Sequence, residues 1–334
     1  MKLAGLPCAG ARTRREFIRV GSLSVLGVSL SQYLEVAQAV SLKAGGNSTS
    51  RAKAESCILI FLGGGASQMD TWDPKPNSPV PSPFKPIGTN VAGIQICELY
   101  PRVAKHMDKL SIIRSMHTEE NNHPQGTHYT LTGHKPNPSM KFPSLGSIIV
   151  KEKQPRNELP ANVLDPAGWN GNFYAYEDAF GPAFIGAEYS PMLIPDVSQE
   201  NFQVTDLTLP ESLSLEGLEY RKGLLKMIDE DFRRKNEQAE FLKMDTFREQ
   251  ALRMVLSPAV RKAFDLGQES EKTKDAYGRH RFGQGLLLAR RLVEAGCRFV
   301  TASGYKTGQW DTHGNHNKIN RDDLAPPLDQ ALPT

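Results

Sequence analysis

One short, unbroken apolar run, and a second strand-like run far along the chain, constrain this sequence more than any other feature. "CILIFL" at 57–62 ends in three glycines, Gly63 to Gly65. "CRFVTASG" at 297–304 follows directly on "FGQGLLLARRLVEAG" (282–296), an amphipathic helical pattern closed by Gly296. A continuous apolar run of this length, bounded by glycine, predicts a strand buried on both faces, as in a parallel sheet. Between them, "KLSIIRSM" (109–116) and "LPANVLDP" (159–166) read as further strands. "ELYPRVAKHM" (98–107) and "FPSLGSIIVKE" (142–152) read as short helices, and "HPQGTHYTLTGH" (123–134) as a helix or a loop that ends at Gly133. Six prolines from Pro74 to Pro86 predict an extended surface loop. Strand-like runs alternating with helical ones predict an α/β fold, a mostly parallel sheet flanked by helices. The charged, periodic stretch around 212–255 is expected to be a helical insertion.

The N-terminus is of another kind. Arg14 and Arg15 precede a mildly apolar run, Val20 to Leu30, and then the small-x-small triplet Ala37-Gln38-Ala39. That order predicts a twin-arginine export signal over 1–39, with the twin-arginine machinery as a partner. The apolar run is about half the ~20 residues that a spanning helix needs, so a cleavable leader is favoured over a membrane anchor. A flexible mature N-terminus (40–54) and one α/β domain (55–334) follow, and the mature protein is expected in the periplasm or outside the cell with no stable membrane span. The leader carries Lys2, Arg12, Arg14, Arg15 and Arg19 against Glu16 and Glu35, the same net +3 as the whole chain. The mature part is therefore neutral, and nothing in its bulk charge argues for nucleic acid. Cys57, Cys97 and Cys297 remain after cleavage, with no CxxC. Buried free thiols and a single disulfide are both open readings.

In parallel α/β sheets ligands bind outside the carboxyl ends of the strands. One loop at that end carries Asp70 and Asp73; another, "GQWDTHGNHNKI" (308–319), carries Asp311, His313 and His316. A hydrolytic metal site needs carboxylates and neutral imidazoles converging from different elements, with a position left open. Asp311 and His313 are close enough in sequence to face one ion, and His316 joins one face with His313 if a helical turn begins there. A solvated polar loop is the plainer reading of the same residues. A second histidine-rich stretch, 116–134, holds His117, His123, His128 and His134, four of the chain's eight. "GGGASQ" (63–68) is either an anion-binding nest or a tight turn; it lacks the Gly-Lys-Ser/Thr of a P-loop, which excludes that mode of ATP binding.

The leader, "FLGGGASQMDTWDPKP", "FKPIGTNVAGIQICELYPRVAKHMDKLSIIRSM", "HPQGTHYTLTGHKP", "WDTHGNH" and "LAPPLDQAL" together resemble the domain-of-unknown-function 1501 family along essentially the whole chain. The resemblance implies a sulfatase-like branch of the alkaline phosphatase superfamily, and so a divalent metal (zinc, manganese or calcium) and a small anionic ester or sulfated glycan as substrate. It makes Asp70 the counterpart of the metal-binding Asp after the first strand, and Asp311 and His313 the late Asp and His ligands; His123 or His316 is a lesser candidate. "TLTG" matches the end of the nucleophile helix. Counting back puts His123 where sulfatases carry Cys, which argues against formylglycine chemistry and leaves Thr127 as the nearest hydroxyl. Relatives continue past "LDQAL" with a further strand and a late Asp-His pair, so an incomplete domain is expected. The resemblance leaves open a rival function, an exported binding or assembly protein that keeps the fold without the reaction.

Overall fold

The computed structural model describes residues 54–153, 155–165, 179–199, 251–303 and 309–334, with isolated positions between 202 and 227. The leader expected at 1–39, all but Ala54 of the stretch at 40–54 and most of the helical region at 212–255 lie outside the described residues; the described positions from 216 to 227, and 251–256, are helical. In chain order the elements are β1 (Cys57–Ile60), β2 (Pro86–Gly88), β3 (Gln95–Cys97), a 3-10 helix (Val103–Lys109), α1 (His123–Thr132), α2 (Leu145–Lys153), β4 (Asn162–Asp165) and β5 (Met192–Leu193). There follow α3 (Pro258–Phe264), α4 (Glu271–Tyr277), α5 (Arg281–Glu294), β6 (Phe299–Ala302) and α6 (His316–Ile319), which runs through a π-helical turn (Asn320–Leu324) into α7 (Ala325–Ala331).

The main sheet has the order β1-β6-β4-β5, and every pairing in it is parallel. Successive side chains of a strand point to opposite faces, and the core divides accordingly. Ile58 and Ile60 of β1, Val163 of β4, and Val300 and Ala302 of β6 pack with Leu286, Leu287, Leu288 and Leu292 of α5. Leu59 and Leu164 face the other way, toward Leu131 of α1, and Phe299 packs on Val150 of α2. Helices on both faces explain why the run of β1 is continuously apolar rather than alternating. The expected α/β class and parallel sheet are thus observed.

Helix α5 ends as its sequence predicts. The N–H of Gly296 bonds to Val293 O and that of Cys297 to Leu292 O, the paired bonds of a Schellman cap. Gly296 sits at φ 111°, a conformation that side chains rarely adopt, and this lets the chain turn straight into β6. The stripe Leu324, Leu328, Leu332 is buried at its first two positions and half-buried at the third. Beside Leu328, the carboxylate of Asp329 accepts from the backbone N–H groups of Arg102 and Val103, both at 2.9 Å. These are the amides that open the 3-10 helix. The helix expected at 98–107 therefore starts later, where a carboxylate satisfies its first donors.

"KLSIIRSM" is not a strand. No neighbouring strand pairs with it among the described residues; Ile112 packs on the core, while Ile113 and Met116 stand in solvent at 69% and 78% exposure. The hairpin β2–β3, by contrast, was invisible in the sequence, since three-residue strands are too short to show a period. Cys97 and Cys297 are buried, Cys57 is half-buried, and all three thiols are free. Burial pushes Cys97 up to about 11 and Cys297 up to about 12. No described helix is long and apolar enough to cross a membrane.

Two glycines should respond oppositely to alanine. A Cβ on Gly283 would lie 2.1 Å from the backbone oxygen of Tyr277 and 2.6 Å from that of Gly278, neither of which can swing away. Gly283→Ala is expected to cost about 1–3 kcal/mol. At Gly126, inside α1, a Cβ meets nothing within 4 Å, and Gly126→Ala should gain up to about 1 kcal/mol of helix stability. Urea denaturation of both variants measures this, and shifts of the same sign would contradict the packing described.

Candidate metal centre

Strands β1 and β6 are adjacent and parallel, so the loops that leave their carboxyl ends lie on one rim. Trp310 anchors the second loop: the residue is 2% exposed and packs in the main core, and its backbone N–H bonds to Gly63 O of the first loop at 3.3 Å. Beyond Trp310 the backbone turns sharply. The N–H of Gly314 bonds back to Thr312 O, with His313 at φ 51° between them, and Asn315 follows at φ 52° just before α6. Positive φ at two residues other than glycine is uncommon and costs free energy.

This turn directs Asp311 and His313 toward α1. His123 is the first residue of α1, preceded by the extended Asn122 and followed by Pro124, whose fixed φ suits a first helical turn. The Nε2 of His123 lies 2.9 Å from Asp311 Oδ2, and the Nε2 of His313 lies 2.6 Å from the same oxygen. One ligand atom from each of His123, Asp311 and His313 falls within 4.8 Å of the others, a group able to hold a metal ion. The donors fit: two imidazole nitrogens and a carboxylate oxygen are the set that binds a divalent metal with a position left open. Asp311 is largely covered, at 19% side-chain exposure, while His313, at 77%, faces solvent.

Asp70 and His316 stand together in a second constellation. Asp70 is 4% exposed; its Oδ2 lies 2.8 Å from His316 Nε2, and its Oδ1 accepts a bond from the Ser82 hydroxyl. The other ring nitrogen of His316, Nδ1, lies 2.9 Å from the Thr312 hydroxyl. Burial acts to raise the Asp70 carboxyl, but hydrogen bonds from Ser82, His316 and Ser67 outweigh it, and the group sits below its ordinary value.

Of the remaining histidines, His128 is buried and bonds through Nδ1 to His134 O at 3.0 Å, His134 stacks on Phe142, and His117 is exposed. Thr127 lies half-buried in α1, one turn beyond His123. Thr312 and Ser82 escaped the sequence reading. Thr312 was marked only by its place inside "WDTHGNH"; Ser82, in the proline-rich loop, carried no signal.

An ionised, hydrogen-bonded Asp70 makes stability depend on acid. The unfolded carboxyl takes up its proton near pH ~4, before the folded one does, so protons favour unfolding below that point. The contribution of Asp70 is complete above pH ~4 and is lost as pH falls through the depressed folded value. The stability gap between the parent protein and Asp70→Asn, from urea denaturation at a series of pH values, should therefore narrow in acid. A gap constant from neutral pH to about pH 2 would contradict this.

A family model described as "Protein of unknown function (DUF1501)" matches residues 54–334. The chain belongs to that family. No curated protein and no solved structure matches it.

Proposed function

We propose that this member of the DUF1501 family is an exported, metal-dependent hydrolase of phosphate or sulfate esters with a sulfatase-like fold. The observation that carries the reading is the convergence of His123, Asp311 and His313 from two separate elements onto one point at the carboxyl end of a parallel sheet. When bound, a divalent metal there would polarise the ester and neutralise charge that develops on its oxygens. Two imidazoles in the donor set favour zinc or manganese over calcium, which prefers oxygen throughout. Asp311, the shared partner of both rings, would orient them and, as the anion of the set, hold the cation most strongly. The exposed side at His313 leaves a way in for a small anionic ester or the end of a sulfated glycan.

The export reading rests on Arg14-Arg15 and Ala37-Gln38-Ala39, with the twin-arginine machinery as partner and the periplasm or the outside of the cell as destination. A binding or assembly role without turnover is the second reading. It is favoured by an apolar groove of about 360 Å³ lined by Trp72, Leu110, Ile112, Ile113, Met116 and Leu332.

Full-length protein incubated with zinc or manganese should retain metal after gel filtration, as measured by elemental analysis. It should hydrolyse at least one member of a panel of phosphate and sulfate mono- and diesters. Asp311→Ala should lower metal affinity by at least about 10–100-fold and remove turnover. Retained metal with turnover abolished by a chelator supports the hydrolase; no metal and no turnover across the panel sinks it in favour of the binding role. Separately, Arg14→Lys with Arg15→Lys should trap the precursor inside the cell, and unchanged export would refute the leader assignment.

A further inference from the structure

Helices α3 and α4 both contact α5, yet the three are not capped alike. The hydroxyl of Ser257 accepts from the N–H of Val260 at the start of α3, and that of Ser270 from the N–H of Thr273 at the start of α4. At the start of α5 the cap is His280, whose Nδ1 accepts from the N–H of Gly283 at 3.0 Å. A serine cap does not titrate near neutral pH; an imidazole cap does. We propose that His280 is a proton-operated latch: its protonation in mild acid releases the first turn of α5 and, with it, the bridge that Arg281 makes between Asp165 and Asp196.

A ring nitrogen that accepts a hydrogen bond carries no proton, so neutral His280 keeps its one proton on Nε2. A second proton must enter at Nδ1, where it faces the Gly283 N–H, donor against donor. Two further features make the charged ring costly. It would stand at the positive end of the α5 dipole, where cations are disfavoured. Its Nε2 is closed to solvent and has no hydrogen-bond partner in this structure, so the new charge gains little hydration there.

Among the described residues no charge is free to compensate. On α4, Asp275 and Glu271 are both held by Arg279, and Glu271 also by Lys274. On α7, the side chain beside the ring is the neutral Gln330: a Cβ on Gly278 would lie 2.3 Å from His280 Nε2 and 3.1 Å from Gln330 Cδ. The neighbouring Asp329 is turned to the backbone of Arg102 and Val103, and Thr334 bonds through its hydroxyl to Ala276 O. On α5 itself, Arg281 is taken up by Asp165 and Asp196, and α3 meets the helix at its other end, through Arg291. Burial therefore prevails and holds His280 below its ordinary value, with Gln330 offsetting it only in part.

The cap sits in a joint with little slack. Gln284 Nε2 bonds to Lys274 O at 3.1 Å and to Gly278 O at 2.8 Å, which ties α5 to the end of α4. Next to His280, Arg281 reaches Asp165, the last residue of β4, at 2.8 Å and Asp196 at 3.1 Å. Loss of the cap thus acts on the α4–α5 turn and on the carboxyl end of β4 together. The cap's contribution is complete above the ordinary histidine value of ~6.5 and is lost as pH falls through the lower folded value. Between the two, each opening takes up one proton, so opening becomes up to about tenfold more frequent per pH unit. None of these residues belongs to the metal centre, so the latch and the hydrolase reading can each fail alone.

Hydrogen exchange of the full chain, read by mass spectrometry and corrected for the intrinsic pH dependence of exchange, tests the latch between about pH 7 and pH 5. Peptides covering 279–287 should lose protection by up to about tenfold per unit below pH ~6.5. His280→Asn supplies a cap that does not titrate, and should remove that slope while keeping the protection seen at neutral pH. The C2 proton of His280, followed by NMR, should titrate below ~6.5. Equal slopes in the parent and His280→Asn would overturn the proposal, as would a flat profile in the parent or a His280 titration at or above ~6.5. If His280→Asn does not fold, His280→Ser takes its place, and the NMR titration of the parent decides without any variant.

Discussion

The parallel ladder between β1 and β6 is the contact on which the rest depends. Its register, from Cys57 opposite Phe299 to Ile60 opposite Ala302, brings two strands to the same end of the sheet at the same level. Each then releases a loop rich in polar side chains. Without that register Asp70 and His316 would not meet, and Trp310 would have no glycine carbonyl to hold. Register in such a sheet is strongly specified because both faces are buried: a slip of one residue would exchange the side chains packed on α5 with those packed on α1 and α2.

One hexapeptide, Asp311 to His316, serves both constellations. In a regular strand Asp311 and His313 would share one side and Thr312 the other, while in a helix Thr312 and His316 would share a face. The turn at His313 achieves both within six residues. Its left-handed backbone sends Asp311 and His313 toward His123, and the start of α6 sends His316 back over Thr312 toward Asp70. The tight turn and the division of side chains are one fact, since a relaxed loop would separate the two groups.

What the sequence disclosed follows from how local each signal was. Strands β1 and β6 and helix α5 could be read because glycines bound their apolar runs, and Gly296 does in the structure what its position implied. The run at 109–116 misled because apolarity says nothing about whether an edge is available to pair with; Ile112 found the core and Ile113 did not. At the site, Asp311 and His313 announced themselves by spacing. That His123 would join them depended on where α1 lies against the sheet, which no spacing within residues 116–134 records. The resemblance singled out Asp70, but not its partners His316, Ser67 and Ser82, the last carried by a proline-rich loop whose path is not periodic.

The β1–β6 pairing also imposes an order of events on the chain as it is made. Ser56 bonds to Cys297 across 241 positions, and the neighbouring ladder spans a similar interval. At the usual ~5–20 residues per second, a ribosome needs on the order of ten to fifty seconds between the two strands. Throughout that interval the apolar segment 57–62 has no ladder partner and must be shielded from other nascent chains. Contacts this distant in sequence slow folding, so the central sheet can close only after most of the polypeptide has emerged. The interval between synthesis and a closed sheet would be set here, by the wait of one strand for another.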